Sequence, residues 1–177
     1  MATISGIYDP YGLGAPFVLG GRKFLQKMTA NSAGWDKHRE LEVDKKWMEW
    51  RKDVLLLNGI EVRRCYRSEK MKRVVSTSLH CFSDASFVGY GVAIYLRMVD
   101  EEGNVEVTLV MGKSRVSPLK PTTVPRLELT AATVSAKIAA LVMEELRMKL
   151  IEIFFWVDNK IVLGYILNQT RRFGHVF

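Results

Sequence analysis

The strongest constraint in this chain is an apolar run near its end. Ile151, Ile153, Phe154, Phe155, Trp156 and Val157 follow one another with only Glu152 between them, and the run stops on Asp158. It lacks the polar–apolar alternation of a strand with one wet face. Such a run fits a parallel strand buried on both faces. A parallel strand needs a long crossover from its neighbour, commonly a helix.

The preceding residues supply both. Leu127, Ala131, Val134, Ile138 and Leu141 form an apolar stripe at helical spacing. Ala132, Ser135, Ala136, Ala139 and Ala140 beside it are small enough to let the helix lie close to a sheet. Thr122 and Thr123 are cap candidates and Pro125 suits a first helical turn, so a helix is expected from there to about Lys149.

Before this helix the pattern has period 2. Residues 79–84 read as a strand, with His80, Phe82 and Asp84 on one face and Leu79 and Cys81 on the other. Residues 89–98 and 105–111 read as two more, joined by a hairpin loop at 100–104 that contains Gly103. Val105, Val107, Leu109 and Met111 are expected on one face of the third. The sum is an α/β chain. Its mixed sheet has three antiparallel strands, then a helix, a parallel fourth strand and a last helix carrying Ile161, Val162, Tyr165 and Ile166.

Ahead of residue 75 the character differs. Glycines and prolines crowd residues 5–21 and predict turns and short helices. Residues 39–57 read as an amphipathic helix in which Trp47 and Trp50 are packing residues. Arg63, Arg64, Arg67, Lys70, Lys72 and Arg73 then form a basic stretch. A boundary near 75 divides residues 1–75 from 76–177.

Composition narrows the function. With 26 Lys and Arg against 19 Asp and Glu, the net charge of +7 suits a polyanion such as nucleic acid, or simply aids solubility. Cys65 and Cys81 make no disulfide framework and, with three histidines, no zinc spacing, so a reducing compartment is expected. Residues 1–20 lack the pattern of a signal peptide, and no apolar stretch approaches the ~18 residues of a membrane span.

Three carboxylates stand out by position. Asp84 closes the first strand, Glu128 is expected in the first turn of the long helix, and Asp158 follows the apolar run. If the first and fourth strands are parallel neighbours, Asp84 and Asp158 lie side by side, and Glu128 reaches them from the crossover helix. Strand ends of open α/β sheets are where sites gather. Like charges so placed conflict unless a cation joins them. Oxygen donors without His or Cys point to magnesium or manganese, and two such ions could drive phosphodiester hydrolysis. Each acid also has an ordinary reading: Glu128 favouring a helix N-terminus, Asp158 as the N-cap of the last helix, Asp84 as a turn residue.

The motifs around these acids resemble a family. Phe82-Ser83-Asp84-Ala85-Ser86 with Gly89-Tyr90-Gly91 is similar to the first strand and turn of the ribonuclease H domain of retroelement polyproteins. Residues 114–120, followed by Thr123-Val124-Pro125-Arg126-Leu127-Glu128-Leu129, resemble the BEL/Pao branch of LTR retrotransposons. Trp156-Val157-Asp158-Asn159 resembles the domain's fourth strand, and Tyr8-Asp9-Pro10-Tyr11-Gly12-Leu13 the connection after the reverse transcriptase.

The resemblance implies a ribonuclease H-like fold over 76–177 and cleavage of RNA in an RNA–DNA hybrid. It implies two magnesium (or manganese) ions held by Asp84, Glu128 and Asp158, with Lys113, Arg115, Lys120 and Arg126 as candidate phosphate contacts. Residues 1–75 become the connection, and the partners are the reverse transcriptase and other parts of the polyprotein, in a cytoplasmic retroelement particle. Two departures stand against it. Asn159 replaces the family's usual Ser, and the sequence stops at Phe177, before the family's fifth strand, further helix and further Asp. Impaired activity and an aggregation-prone edge at the apolar strand are therefore expected. Two other readings stay open: a non-catalytic nucleic-acid binder, and an aspartic peptidase, although neither Asp84-Ala85-Ser86 nor Asp158-Asn159-Lys160 carries the glycine of that chemistry.

Overall fold

The computed structural model describes residues 2–30, 41–147 and 152–168. A four-stranded sheet in the order β3-β2-β1-β4 is its centre. β1 (Val74–Ala85), β2 (Gly89–Asp100) and β3 (Val105–Val116) form an antiparallel meander. The helix α4 (Val124–Leu146) crosses over, and β4 (Glu152–Trp156) pairs parallel to β1. α5 (Lys160–Leu167) follows. The mixed α/β sheet is thus the one the residue patterns predict.

α4 packs on one face of β1 and β2. Leu79 and Cys81 of β1 and Ile94, Leu96 and Met98 of β2 bury there against Ile138, Ala139 and Val142 of the helix. The Cys81 thiol is pushed up to about 11 by burial alone. α4 ends at Leu146, short of the expected Lys149, because Arg147 takes a left-handed conformation at φ 48°. Residues 148–150 lie outside the described residues.

β3 departs from simple alternation. Tyr95 pairs with Leu109 but Ile94 pairs with Met111, so Val110 is an extra residue between them. This bulge turns Met111 toward the core side with Ile94, whereas Val105, Val107 and Leu109 share the opposite face. The expected four-residue face is therefore broken after Leu109.

The larger correction concerns β4. It is the sheet's edge strand among the described residues, and Phe154, Phe155 and Trp156 are 38%, 52% and 48% exposed. The expectation of a strand buried on both faces fails because α4 lies over β1 and β2 and no described strand pairs on β4's far side. The aromatic rings of β4 pack on those of β1 instead. His80 stacks with Phe154 at 4.9 Å and Trp156 at 6.0 Å, and Phe82 stacks with Trp156 at 5.9 Å. Trp156 Nε1 donates to His80 Nδ1 at 3.2 Å, which requires an unprotonated Nδ1. Burial, then the charge of Arg97, lowers the His80 pKa in the same sense.

The N-terminal residues build a small second core. α1 (Ala2–Ser5), α2 (Ala15–Ala30) and α3 (Leu41–Val54) meet around Ile4, Val18 and Trp50. Trp50 stacks on Phe17 and Trp47, and its Nε1 donates to the Phe17 carbonyl at 3.1 Å, so both tryptophans pack as expected. α2 runs unbroken through Gly20 and Gly21, contrary to the expected turns. A Cβ on Gly21 would stand 2.4 Å from Trp50 Cζ2. The glycine serves a close helix approach, not a break.

This unit docks on β3. Gly112 N donates to the Tyr11 carbonyl at 2.6 Å, Ser114 Oγ to the Ala15 carbonyl at 2.6 Å, and Arg22 Nη1 to the Ser114 carbonyl at 2.8 Å. The basic stretch is tied elsewhere, to the far end of β2 and β3. Arg63 pairs with Glu106 at 3.0 Å, Lys72 with Glu102, and the buried Asp100 accepts from Lys72 N at 3.2 Å. Asp100 also accepts from the backbone of Glu102 and Asn104 across the hairpin, where Gly103 sits at φ 84°. Burial pushes its pKa up, but the bonds from Asn104, Lys72 and Glu102 outweigh this and hold the carboxyl below its usual value.

Candidate metal centre

The parallel pairing of β1 and β4 positions two of the acids. Phe82 is level with Trp156, so continuing both strands by two residues brings Asp84 beside Asp158. Asp84 is the penultimate residue of β1, and its Oδ1 accepts from Ala85 N at 2.6 Å. Asp158 lies two residues past the end of β4, after Val157, and is exposed. It is not the cap of the last helix. Asn159 is, its Oδ1 accepting from Ile161 N at 2.8 Å.

Glu128 comes from α4, as its fifth residue and not in the first turn. At that depth the helix N-terminus no longer explains a carboxylate, since the dipole's effect fades within a turn. Glu128 is only 9% exposed, yet it has no cationic partner among the described residues. Its Oε2 accepts a hydrogen bond from Asn159 Nδ2. Asn159 therefore grips two elements at once, the start of α5 and the carboxylate of α4.

One ligand oxygen from each of Asp84, Glu128 and Asp158 lies within 4.8 Å of the other two. At 4.8 Å each pair of ionised carboxylates repels by roughly 0.9 kcal/mol in water and 3.5 kcal/mol at an effective dielectric of 20. Three such pairs make an arrangement that a cation would relieve. The donor set is all oxygen, which suits Mg²⁺ or Mn²⁺. No His or Cys joins this group among the described residues.

A cleft of about 750 Å³ adjoins the acids on the sheet face opposite α4. Asp84 and Asp158 line one end. Leu13, Pro16 and Leu19 form one wall, and Phe82, Tyr95 and Trp156 line the other side. Lys113 also lines this cleft, while Arg115 lies across from Tyr90 on β3. Lys120 lies in the loop before α4 and Arg126 in its first turn; all four cations are exposed. Reading the residues alone gave no role to Asn159. Its signal was its type, since Asn is a strong N-cap, but nothing in the pattern connected it to Glu128.

No curated protein compared with the chain matches it. A family model described as the Pao retrotransposon-like RNaseH-like domain matches residues 1–159. That span takes in the docked N-terminal unit, all four strands, α4 and the three acids together. By that match the chain belongs to the Pao retrotransposon-like RNaseH-like domain family.

Proposed function

We propose that this chain is the ribonuclease H-type domain of a BEL/Pao retroelement polyprotein, acting on the RNA strand of RNA–DNA hybrids. The carrying observation is the meeting of Asp84, Glu128 and Asp158 within 4.8 Å at the shared end of two parallel strands. Asp84 and Asp158, open to solvent, are the groups that would face a phosphodiester and hold divalent ions, and Glu128, turned by Asn159, completes the set. Two bound Mg²⁺ or Mn²⁺ ions would supply water activation and stabilise the leaving oxygen. Lys113, Arg115, Lys120 and Arg126 are the proposed phosphate contacts. In this reading residues 1–75 are the connection to a reverse transcriptase, the other polyprotein parts are partners, and the setting is a cytoplasmic particle. No described helix is long and apolar enough to cross a membrane.

The test is cleavage of a labelled RNA–DNA hybrid in Mg²⁺ or Mn²⁺, with Asp84→Asn as control. Metal-dependent cleavage of the RNA strand that Asp84→Asn abolishes supports the proposal. Equal activity in Asp84→Asn sinks it. Hybrid binding that ignores metal, with no cleavage, favours a non-catalytic binder. Proteolysis sensitive to pepstatin would favour the peptidase.

A further inference from the structure

The cations of this chain are segregated. Residues 10–30 hold Arg22, Lys23 and Lys27, and residues 107–127 hold Lys113, Arg115, Lys120 and Arg126; neither stretch contains an Asp or Glu. The structure brings the two stretches together, because α2 lies along the C-terminal end of β3. Arg22 reaches the Ser114 carbonyl, and one turn later Gln26 Nε2 donates to the Ser117 carbonyl at 2.6 Å. α3 meets α2 elsewhere on the helix, through Trp50 against Gly20 and Gly21.

Helical spacing then selects two lysines. Pro16, Lys23 and Lys27 follow the i, i+7, i+11 stripe of α2. Pro16, at the head of that stripe, lines the cleft that ends on Asp84 and Asp158. Asp84 shares its sheet face with Gly91 and Ser114, its neighbours across β2 and β3, and Ser114 is the residue on which α2 docks. Lys23 and Lys27 thus continue the wall of the cleft, about 10 Å and 16 Å along the helix from Pro16. They stand about 6 Å apart, a spacing of one or two phosphates in a strand bearing a charge about every 3.4 Å. Neither has an ion pair among the described residues.

We infer that α2 is part of the substrate surface: Lys23 and Lys27 contact the phosphate backbone of a nucleic-acid duplex whose scissile region lies at the acids. The inference rests on the proposed function and extends it to the N-terminal unit. The basic stretch at residues 63–73 makes a contrasting surface. It leads into β1, whose first residue, Val74, lies ten residues before Asp84, about 33 Å away. Glu102 and Glu106 occupy two of its cations, and Glu101 lies beside it.

The experiment measures binding of a fluorescein-labelled 18-base-pair RNA–DNA hybrid to the full chain, in Ca²⁺, over a series of salt concentrations. Lys23→Gln/Lys27→Gln is compared with Arg67→Gln/Lys70→Gln, which removes the same charge from the distant stretch. Each lost phosphate contact shallows the log K against log salt slope by about 0.9 and weakens binding about eightfold at 0.1 M salt. The α2 pair is expected to shallow the slope by about 1.8 and weaken binding about sixty-fold. The distant pair is expected to leave the slope unchanged. Equal losses in both variants would reduce the effect to net charge and overturn the inference, as would an unchanged slope in the α2 pair. A parent chain that binds no hybrid would overturn the functional proposal itself. Tighter binding to phosphatidylserine vesicles than to the hybrid, lost in the α2 pair, would reassign the surface to a membrane.

Discussion

Replacing Asn159 by Gly tests whether the trio is organised for a cation. The amide's orientation is set by its two partners. Ile161 N can only donate and the Glu128 carboxylate can only accept, so Oδ1 must face the helix and Nδ2 the acid. Glycine removes the Nδ2 donor but is nearly as good an N-cap, costing only a few tenths of a kcal/mol. A hydrogen bond to a charged group contributes about 1.5–3 kcal/mol. Because Glu128 is buried, little of that is screened. At about 1.4 kcal/mol per tenfold, the substitution should weaken metal binding by roughly 10- to 150-fold. Groups that orient metal ligands typically matter by about 10- to 100-fold, which agrees. The assay is Mn²⁺ titration of the full chain, with free ion followed by electron paramagnetic resonance, beside thermal unfolding. Asn159→Ser is the companion variant: it keeps a capping oxygen on a side chain too short to span to Glu128. Both variants should lose Mn²⁺ affinity while keeping their unfolding temperature. Parent-like affinity in both would refute the positioning role. A loss of affinity that tracks a loss of stability would assign Asn159 to capping alone.

Four further outcomes follow from the packing. Gly21→Ala should destabilise the fold by about 1–3 kcal/mol by forcing a Cβ against the Trp50 ring, whereas Gly20→Ala, with its nearest atom at 3.6 Å, should be neutral or stabilise by up to about 1 kcal/mol; paired thermal melts read this directly. Cys81 is fully buried with its thiol raised to about 11, and Cys65 is exposed, so a thiol reagent at pH 8 should label Cys65 alone in the native chain and both on unfolding. The native state also holds the Cys81 proton longer than the unfolded chain. Stability should therefore fall as pH rises from about 9 through about 11, less steeply in Cys81→Ala, with the raised Tyr66 hydroxyl supplying part of the remaining slope. His80 behaves in the opposite sense. Its lowered pKa favours the neutral ring in the native state, so its contribution is present above about 6.5 and lost as pH falls below it; melts at pH 5 and pH 7.5 should differ less in His80→Phe than in the parent.

Much of the sheet was legible because strands and helices carry their periods in the residues they bury. Ile94, Leu96 and Met98 alternate, and they do face the core. The hairpin at 100–104 was legible from Gly103, which sits at the positive φ that glycine accepts at least cost. What was not legible involved partners distant in sequence. Gly21 reads as a breaker until Trp50, some thirty residues later, is seen to need the space. Val110 gives no local sign of a bulge, since an extra apolar residue in an apolar strand leaves the composition unchanged.

The site divides along the same line. Asp84 and Asp158 could be brought together by reasoning, because parallel neighbours ending on acids leave little choice. The hold on Glu128 could not, because Asn159 looks like any helix cap until a second element comes within its reach. β4 shows where hydrophobicity misleads. An apolar run measures how much burial a strand could gain, not how much the surrounding elements provide. Phe154 and Trp156 satisfy part of that demand by stacking on His80 and Phe82, which leaves the strand's other edge and Phe155 open. The column of rings ends at Phe82, two residues before Asp84 on the same sheet face, with Trp156 two residues before Asp158. The rings that steady β4 against β1 therefore also fix the separation of the two strand ends, and with it the distance between two of the three carboxylates.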